Sequence, residues 1–397
     1  MNVLFMSELF YPYGGGGELA TRLYADLLTS SGFNVRVVTN RFPGEPQTSE
    51  KGTFKIHRIP LASTRLGKYS VLRPSIMFGT FMRKVLDWSD VVYIPRFWYS
   101  AIPAAKNRRK TVLVHLHGYY PVCPVATLYD LSENRICRHR YHCMCSVKCI
   151  TYHERSSRTS FKEVLASAAM NSTLGCHIGK LASLSDSIIC VSNAQRELVA
   201  KHMPCIANRL TTIYNPVPQL DEFVGQSADF GYFGGSSLLK GLAVLRAAVR
   251  NLNPPIKIHM TNMPSVSQIS NGMIQYPRLS REHYGNLYKG IQVVVAPSIW
   301  PEPWGYVVSE ALATGRLVVA SRIGGIPEQA EGMKGAFLFE PGNVEQLTGA
   351  MSYVRDLPRE DRLDLGQANK EAFAAKFDNR RSMQDFIAVL EKTRKAR

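Results

Sequence analysis

The stretch Pro297-Ser-Ile-Trp-Pro-Glu-Pro-Trp-Gly-Tyr-Val-Val-Ser-Glu-Ala-Leu-Ala-Thr-Gly315 sets two carboxylates, Glu302 and Glu310, eight positions apart around a turn from strand to helix. Ile291 to Ala296 (Ile-Gln-Val-Val-Val-Ala) is apolar enough for a buried parallel strand. Pro297 to Pro303 reads as its exit loop and Trp304 to Thr314 as the helix that follows. Ligands of open α/β sheets bind beyond the carboxyl ends of strands, where free helix N-terminal amides, here near Gly305, face negative charge. In that frame Glu302 meets a sugar ring, and Glu310, over two turns further along, reaches a ribose diol. The spacing suits a nucleotide-sugar site.

The rest of the chain reads as the scaffold such a loop requires. Asn2 to Ser7 is predicted as a first buried strand, Glu8 to Gly17 as a loop, and Glu18 to Ser30 as a helix with Leu19, Leu23, Leu27 and Leu28 at helical spacing. Further short strands are expected at Phe33–Thr39, Lys55–Ile59, Val91–Ile94, Val112–Leu116, Ser187–Val191 and Leu210–Tyr214. The pattern restarts at Phe230-Gly-Tyr-Phe-Gly-Gly, followed by a helix from about Leu238 to Leu252 and strands at Ile256–Met260, Ile291–Ala296, Leu317–Ala320 and Ala336–Phe339. Strands alternating with helices predict parallel sheets covered on both faces. The Pro-rich, polar Tyr214-Asn-Pro-Val-Pro-Gln-Leu-Asp-Glu222 reads as a linker. A chain of 397 residues exceeds what one core usually supports, so two domains are expected, 1–217 and 218–378, with a terminal helix over 379–397.

Charge is unevenly shared. Residues 1–217 hold 27 Lys and Arg against 13 Asp and Glu, a balance of +14 out of the total +17, and the remainder holds 21 against 18. The first half is therefore expected to meet an anionic partner: a membrane surface, a lipid phosphate, an acidic glycan or nucleic acid. No apolar run approaches the roughly 20 residues that span a bilayer, and Met1-Asn-Val-Leu-Phe-Met lacks the basic start of a signal peptide. The expected location is the cytoplasm, with peripheral contact at the inner face of the membrane. Leu72 to Lys84 and Arg96-Phe-Trp-Tyr99, which mix cations with large apolar residues, are read as candidate interface segments.

Glu302-Pro-aromatic-Gly, four residues, Glu310-Ala-Leu-Ala, then Gly315 and Gly324-Gly-Ile-Pro-Glu328 resemble the signature of glycosyltransferase family 4, the retaining GT-B enzymes. The resemblance implies two Rossmann-like domains facing a deep cleft, with the last helix crossing back to the first domain. It implies that Glu302 binds the donor hexose near the reacting carbon and that Glu310 holds the ribose. Ser298, Trp304 and Gly305, beside Glu302, are counted with the donor-binding residues. Ser236-Ser-Leu-Leu-Lys240-Gly241 is similar to the family's phosphate-binding segment, and Lys240 matches its lysine. An ammonium neutralises a leaving diphosphate without needing a fixed fork geometry. The family's arginine position falls on Gly235, so one cation is missing; another, such as Arg316 or Arg322, would have to substitute, and the sequence does not assign it. His117, in His115-Leu-His-Gly118, matches the histidine near the donor sugar; alternation along a strand points it to the same side as His115. Gly15, Gly16 and Gly17 match the family's glycine loop, whose backbone can closely approach a phosphate or sugar. Asn215-Pro-Val resembles the segment that ends the first domain.

Five cysteines fall within Cys123, Cys137, Cys143, Cys145 and Cys149, in an insertion at about 119–158 that also holds His139, His142 and His153. Their spacing fits no standard zinc finger, yet a structural zinc held by a subset of them is the first reading; disulfides and free thiols are the others. Cys176, Cys190 and Cys205 read as core residues. The resemblance implies a retaining hexosyltransferase that takes a nucleotide diphosphate sugar of UDP or GDP type, needs no cofactor for catalysis, and glycosylates a hydroxyl of a glycan or lipid-linked acceptor. A sugar-nucleotide epimerase on the same architecture is the alternative. A nucleic-acid-binding zinc protein would leave both glutamates unexplained, so nucleic acid is not an expected partner.

Overall fold

The computed structural model describes residues 1–51, 54–61, 71, 73, 79–142, 144, 145, 147–150, 161–223, 228–263, 267, 268, 272–279 and 281–395. The chain divides into two compact units, Met1–Pro216 together with Asn379–Arg397, and Val217–Asp378.

In the first unit the described strands are β1 (Asn2–Met6), β2 (Asn34–Asn40), β3 (Thr48–Lys51), β4 (Phe54–Ile59), β5 (Val91–Ile94), β6 (Thr111–Leu116), the short hairpin β7 (Tyr129–Asp130) and β8 (Arg135–Ile136), then β9 (Ser187–Cys190) and β10 (Leu210–Thr212). All but the hairpin join one sheet in the order β10-β9-β6-β5-β1-β2-β4-β3, parallel except for β3, which closes the edge antiparallel to β4. Every residue of β5, β6 and β9 is buried, as continuous apolar runs in a doubly covered sheet should be. Helix α1 (Gly16–Ser30) connects β1 to β2 and buries Ala20, Thr21, Tyr24, Ala25 and Leu28 on one stripe. Helix α2 (Thr80–Trp88) buries Met82, Val85 and Leu86 while Phe81, Arg83 and Lys84 stay exposed. The last helix, α3 (Asn379–Lys395), belongs to this unit too. Its stripe of Met383, Phe386 and Leu390 enters the same core as Val3, Phe5, Tyr24 and Tyr93.

The second unit holds β11 (Asp229–Tyr232), β12 (Ile258–Met260), β13 (Ser267–Gln268), β14 (Met273–Gln275), β15 (Ile291–Ala296), β16 (Leu317–Ser321) and β17 (Ala336–Phe339). Their order is β13-β14-β12-β11-β15-β16-β17, again parallel apart from the edge strand β13. The helix expected from Leu238 breaks at Gly241 into a 3-10 turn, Leu238–Lys240, and helix α4, Leu242–Asn251. The helix expected from Trp304 begins two residues later, as α5 (Tyr306–Ala313), with Gly305 at its N-cap.

Each sheet reverses its build direction at one place. In the first unit β1 lies between β2 and β5, and in the second β11 lies between β12 and β15. The loops leaving the two strands at such a point diverge to opposite faces, so a crevice opens outside their carboxyl ends. Among the described residues no helix is long and apolar enough to cross a membrane.

Candidate active site

In the second unit, the loops leaving β11 and β15 bring Lys240 and Glu302 together. The Lys240 ammonium lies 2.6 Å from both oxygens of the Glu302 carboxylate. Oε2 of Glu302 also accepts from the Ser298 hydroxyl and from the Trp300 indole N–H, each at 3.1 Å. The Trp300 ring stands 5.5 Å from Lys240 Nζ. Backbone contacts fix this arrangement: Ile299 N–H donates to the Leu239 carbonyl at 2.9 Å, and Gly325 N–H donates to the Glu302 carbonyl at 2.8 Å. Gly324 adopts φ +59°, and a Cβ there would stand 2.2 Å from the Glu302 carbonyl oxygen, so only glycine lets this loop support Glu302 from below. Glu302 is buried, whereas Lys240 keeps about a third of its side chain exposed (35%), so the cation is the partner an incoming anion can reach.

Glu310 sits on α5, buried, and burial pushes its carboxyl up to about 8, with Arg316 opposing the rise. The phenols of Tyr284 and Tyr288 lie within its field. A carboxyl that holds its proton near neutrality can both donate and accept, which suits a vicinal diol. Arg316 does not replace the missing arginine. Its guanidinium is fully buried, stacks 3.8 Å from the Tyr288 ring, and donates to the carbonyls of Ile291, Asp221, Thr314 and Tyr288 at 3.0, 3.2, 3.3 and 2.7 Å. Arg322 is exposed and faces Glu340 at 3.5 Å. Trp304 packs edge-on against Phe377, 5.4 Å between ring centres, beneath the loop.

The switch point of the first unit carries a second polar cluster. Gly16 and Gly17 are the first residues of α1, and Gly15 is its N-cap. The Gly15 N–H donates to Glu18 Oε2 at 2.6 Å, and Glu18 in turn pairs with Arg96, whose Nε donates to Glu8 Oε1 at 2.8 Å. Glu8 leaves β1 and Arg96 leaves β5, the two strands of the reversal. His117 lies under the glycine loop, where a Cβ on Gly17 would come 2.9 Å from its own Cβ. As alternation predicted, its ring lies against that of His115, tilted by 31° with 4.4 Å between centres. His115 is hydrogen-bonded to the Tyr93 hydroxyl at 2.7 Å, whereas neither ring nitrogen of His117 has a partner among the described residues. Burial and then the Arg96 charge push the His117 imidazolium down to about 3, so this ring is neutral at physiological pH.

Arg96 to Tyr99 do not form an interface segment. Phe97, Trp98 and Tyr99 are all buried, and Arg96 is held by Glu8 and Glu18. In Leu72 to Lys84, residues 72 and 74–78 lie outside the described residues. Cys123, Cys137, Cys145 and Cys149 carry free thiols; Cys123 Sγ accepts from Leu128 N–H at 3.3 Å, and burial followed by the neighbouring thiols Cys123 and Cys145 pushes Cys149 up to about 12. Among the described residues no three His, Cys, Asp or Glu side chains converge as a metal centre; Cys143 and His153 lie outside them. Cys190 is buried as expected, but Cys205 is exposed. The sequence reading missed Glu8, Glu18 and Trp300. The sequence gives one local signal for Glu18, an acidic side chain three residues after an N-cap.

The description Glycosyltransferase Family 4 matches residues 14–219, more than half of the chain, and Glycosyl transferases group 1 matches residues 267–372. An uncharacterized 42.6 kDa protein in the cps region of Klebsiella pneumoniae is 23% identical over 363 residues, which cover 86% of this chain and 90% of that protein. Sucrose-phosphate synthase from Thermosynechococcus elongatus superposes with a TM-score of 0.72 at 15% identity over the whole of both chains. Anabaena HepE, solved with UDP-glucose, gives 0.65 at 15% identity, over 99% of this chain and 100% of that one. At such identities the likeness is one of fold, the α/β GT-B arrangement of two Rossmann-like units. Matched by family description across both units, the chain belongs to glycosyltransferase family 4 and is a glycosyltransferase.

Proposed function

We propose that this enzyme moves a hexose from a nucleotide diphosphate sugar to an acceptor hydroxyl with retention at the anomeric carbon. The observation that carries this reading is the Lys240 and Glu302 pair at the switch point of the second unit. Lys240, with the amides at the start of α5 near Gly305, would neutralise the departing diphosphate. Glu302, supported by Ser298, would hold the hexose, and Glu310 the ribose diol. His117 and the Gly15–Gly17 loop would serve the same reaction. His117 acts there as a neutral hydrogen-bonding group, because its environment resists protonation. In the transfer the bond from the anomeric carbon to the phosphate oxygen breaks and a bond to the acceptor oxygen forms on the same face. The acceptor proton goes to the leaving phosphate, so the products are a nucleoside diphosphate and a glycoside. Charge placed in advance around the diphosphate is the largest contribution, and the transfer needs no cofactor.

The solved relative with UDP-glucose supports a uridine donor, and a GDP sugar is the other member of the class. The +14 balance of residues 1–217 supports an acceptor or surface of negative charge, such as a lipid-linked or acidic glycan at an anionic membrane. The test is incubation of the purified chain with UDP and GDP hexoses and candidate acceptors, with the anomeric configuration read by NMR. Retention is the expected result, and inversion would overturn it. An epimerised sugar nucleotide formed without acceptor would instead identify an epimerase. A structural zinc among Cys123, Cys137, Cys143, Cys145 and Cys149 is proposed alongside; elemental analysis should return about one zinc per chain, and a metal-free, active protein would refute it.

A further inference from the structure

Without a ligand, the two groups that the donor requires are occupied by each other. Lys240 spans both oxygens of Glu302, and Ser298 and Trp300 take the remaining positions on Oε2. A carboxylate offers about four acceptor positions; three donors crowd Oε2, while Oε1 accepts from Lys240 alone. A diphosphate that draws the ammonium away frees the Glu302 oxygens for sugar hydroxyls, but it also leaves a buried carboxylate without its cation. Such a group stays aimed only if other donors hold it. The Trp300 indole N–H is placed to do this, two residues before Glu302 on the same loop, and its ring lies beside the ammonium that leaves.

We infer that Trp300 is a positioning residue that retains Glu302 in its sugar-binding orientation once Lys240 has passed from Glu302 to the diphosphate. Binding is then an exchange of partners: the diphosphate takes the lysine, and the hexose takes the vacated carboxylate oxygens. This inference rests on the donor reading proposed above. It separates two ligands that a merely structural tryptophan would not separate, because of the Lys240 and Glu302 pair a nucleoside diphosphate engages only Lys240, whereas the sugar nucleotide also needs Glu302.

The experiment compares Trp300→Phe, which keeps a ring beside Lys240 and removes the N–H, with the unaltered enzyme by calorimetric titration of UDP and UDP-glucose, or of GDP and its hexose conjugate if that is the donor. Affinity for the nucleoside diphosphate should stay within about twofold, while affinity for the sugar nucleotide falls about tenfold, the size of one hydrogen bond to a charged group. Equal weakening of both ligands, or no change for the sugar nucleotide, would overturn the inference. If Trp300→Phe does not fold, Ser298→Ala removes the neighbouring donor and should show the same selective loss; equal loss for both ligands would again overturn the exchange. Failure of the unaltered enzyme to bind any sugar nucleotide would instead refute the donor reading, and this inference with it.

Discussion

At the scale of single residues, burial sets the chemistry of the candidate site. Glu310 is raised to about 8 because its surroundings penalise the charged form. Below the ordinary carboxyl range near 4.5 both folded and unfolded chains hold this proton. Between 4.5 and about 8 the unfolded chain releases the proton that the folded chain keeps, so stability is lost as pH rises across that window. Glu310→Gln should therefore raise the melting temperature of the ligand-free enzyme at pH 8, by a free energy of about 2–4 kcal/mol, and change it little at pH 4.5, while weakening nucleotide binding. A gain independent of pH would contradict the raised carboxyl. Lys240→Ala should lower kcat by about a hundredfold or more through loss of charge on the diphosphate. Its cost in stability should be smaller, about 1–2 kcal/mol, because Ser298 and Trp300 still hold Glu302. Activity assays beside urea titrations measure both, and full activity would remove Lys240 from the site.

At the scale of elements, the loops are held by groups that resemble ligand-binding residues in sequence but are structural in place. Arg316 has the charge and position of a phosphate ligand, yet its donors are spent on four backbone carbonyls that join β15, the end of α5 and the linker at Asp221. Arg316→Met should cost about 3–5 kcal/mol, measured by chemical denaturation without nucleotide, since it leaves buried carbonyls unpaired. If stability were unchanged and only donor affinity fell, Arg316 would be a ligand after all. Arg96 was misread for the opposite reason. It stands next to three aromatic residues, which suggests a surface belt, but Glu8 and Glu18 are 88 and 78 positions away in sequence and only the fold brings them to it. The strands Val91–Ile94 and Ile291–Ala296 were legible to the residue because a buried parallel strand is a continuous apolar run. The antiparallel edges β3 and β13 and the hairpin β7–β8 were not, since strands of two to four residues carry little periodic signal.

At the scale of the whole molecule, the return of the chain to its first unit places a terminal helix beneath the polar cluster of that unit. Phe386 on α3 lies 4.7 Å from the Tyr24 ring and 6.3 Å from that of His115, which packs against His117. Phe386→Ala should lower stability by about 3–5 kcal/mol and should also reduce activity, because the packed histidines lose their floor. Thermal melts and turnover measured on the same preparation check both effects. Unchanged turnover in a destabilised protein would uncouple the helix from His117.

The sequence by itself determined the alternation of strand and helix, the boundary region near residue 217, and the spacing of Glu302 and Glu310, because apolar periodicity, turn residues and local motifs are properties of neighbours along the chain. The tertiary structure alone decided that β1 lies against β5 and β11 against β15, and so which loops meet. It also decided that Arg316 is consumed within the fold, that Arg96 is clamped by two glutamates, and that Trp300 shares Glu302 with Lys240. These are contacts between residues distant in sequence, and their energies depend on burial and distance, which a linear pattern does not encode.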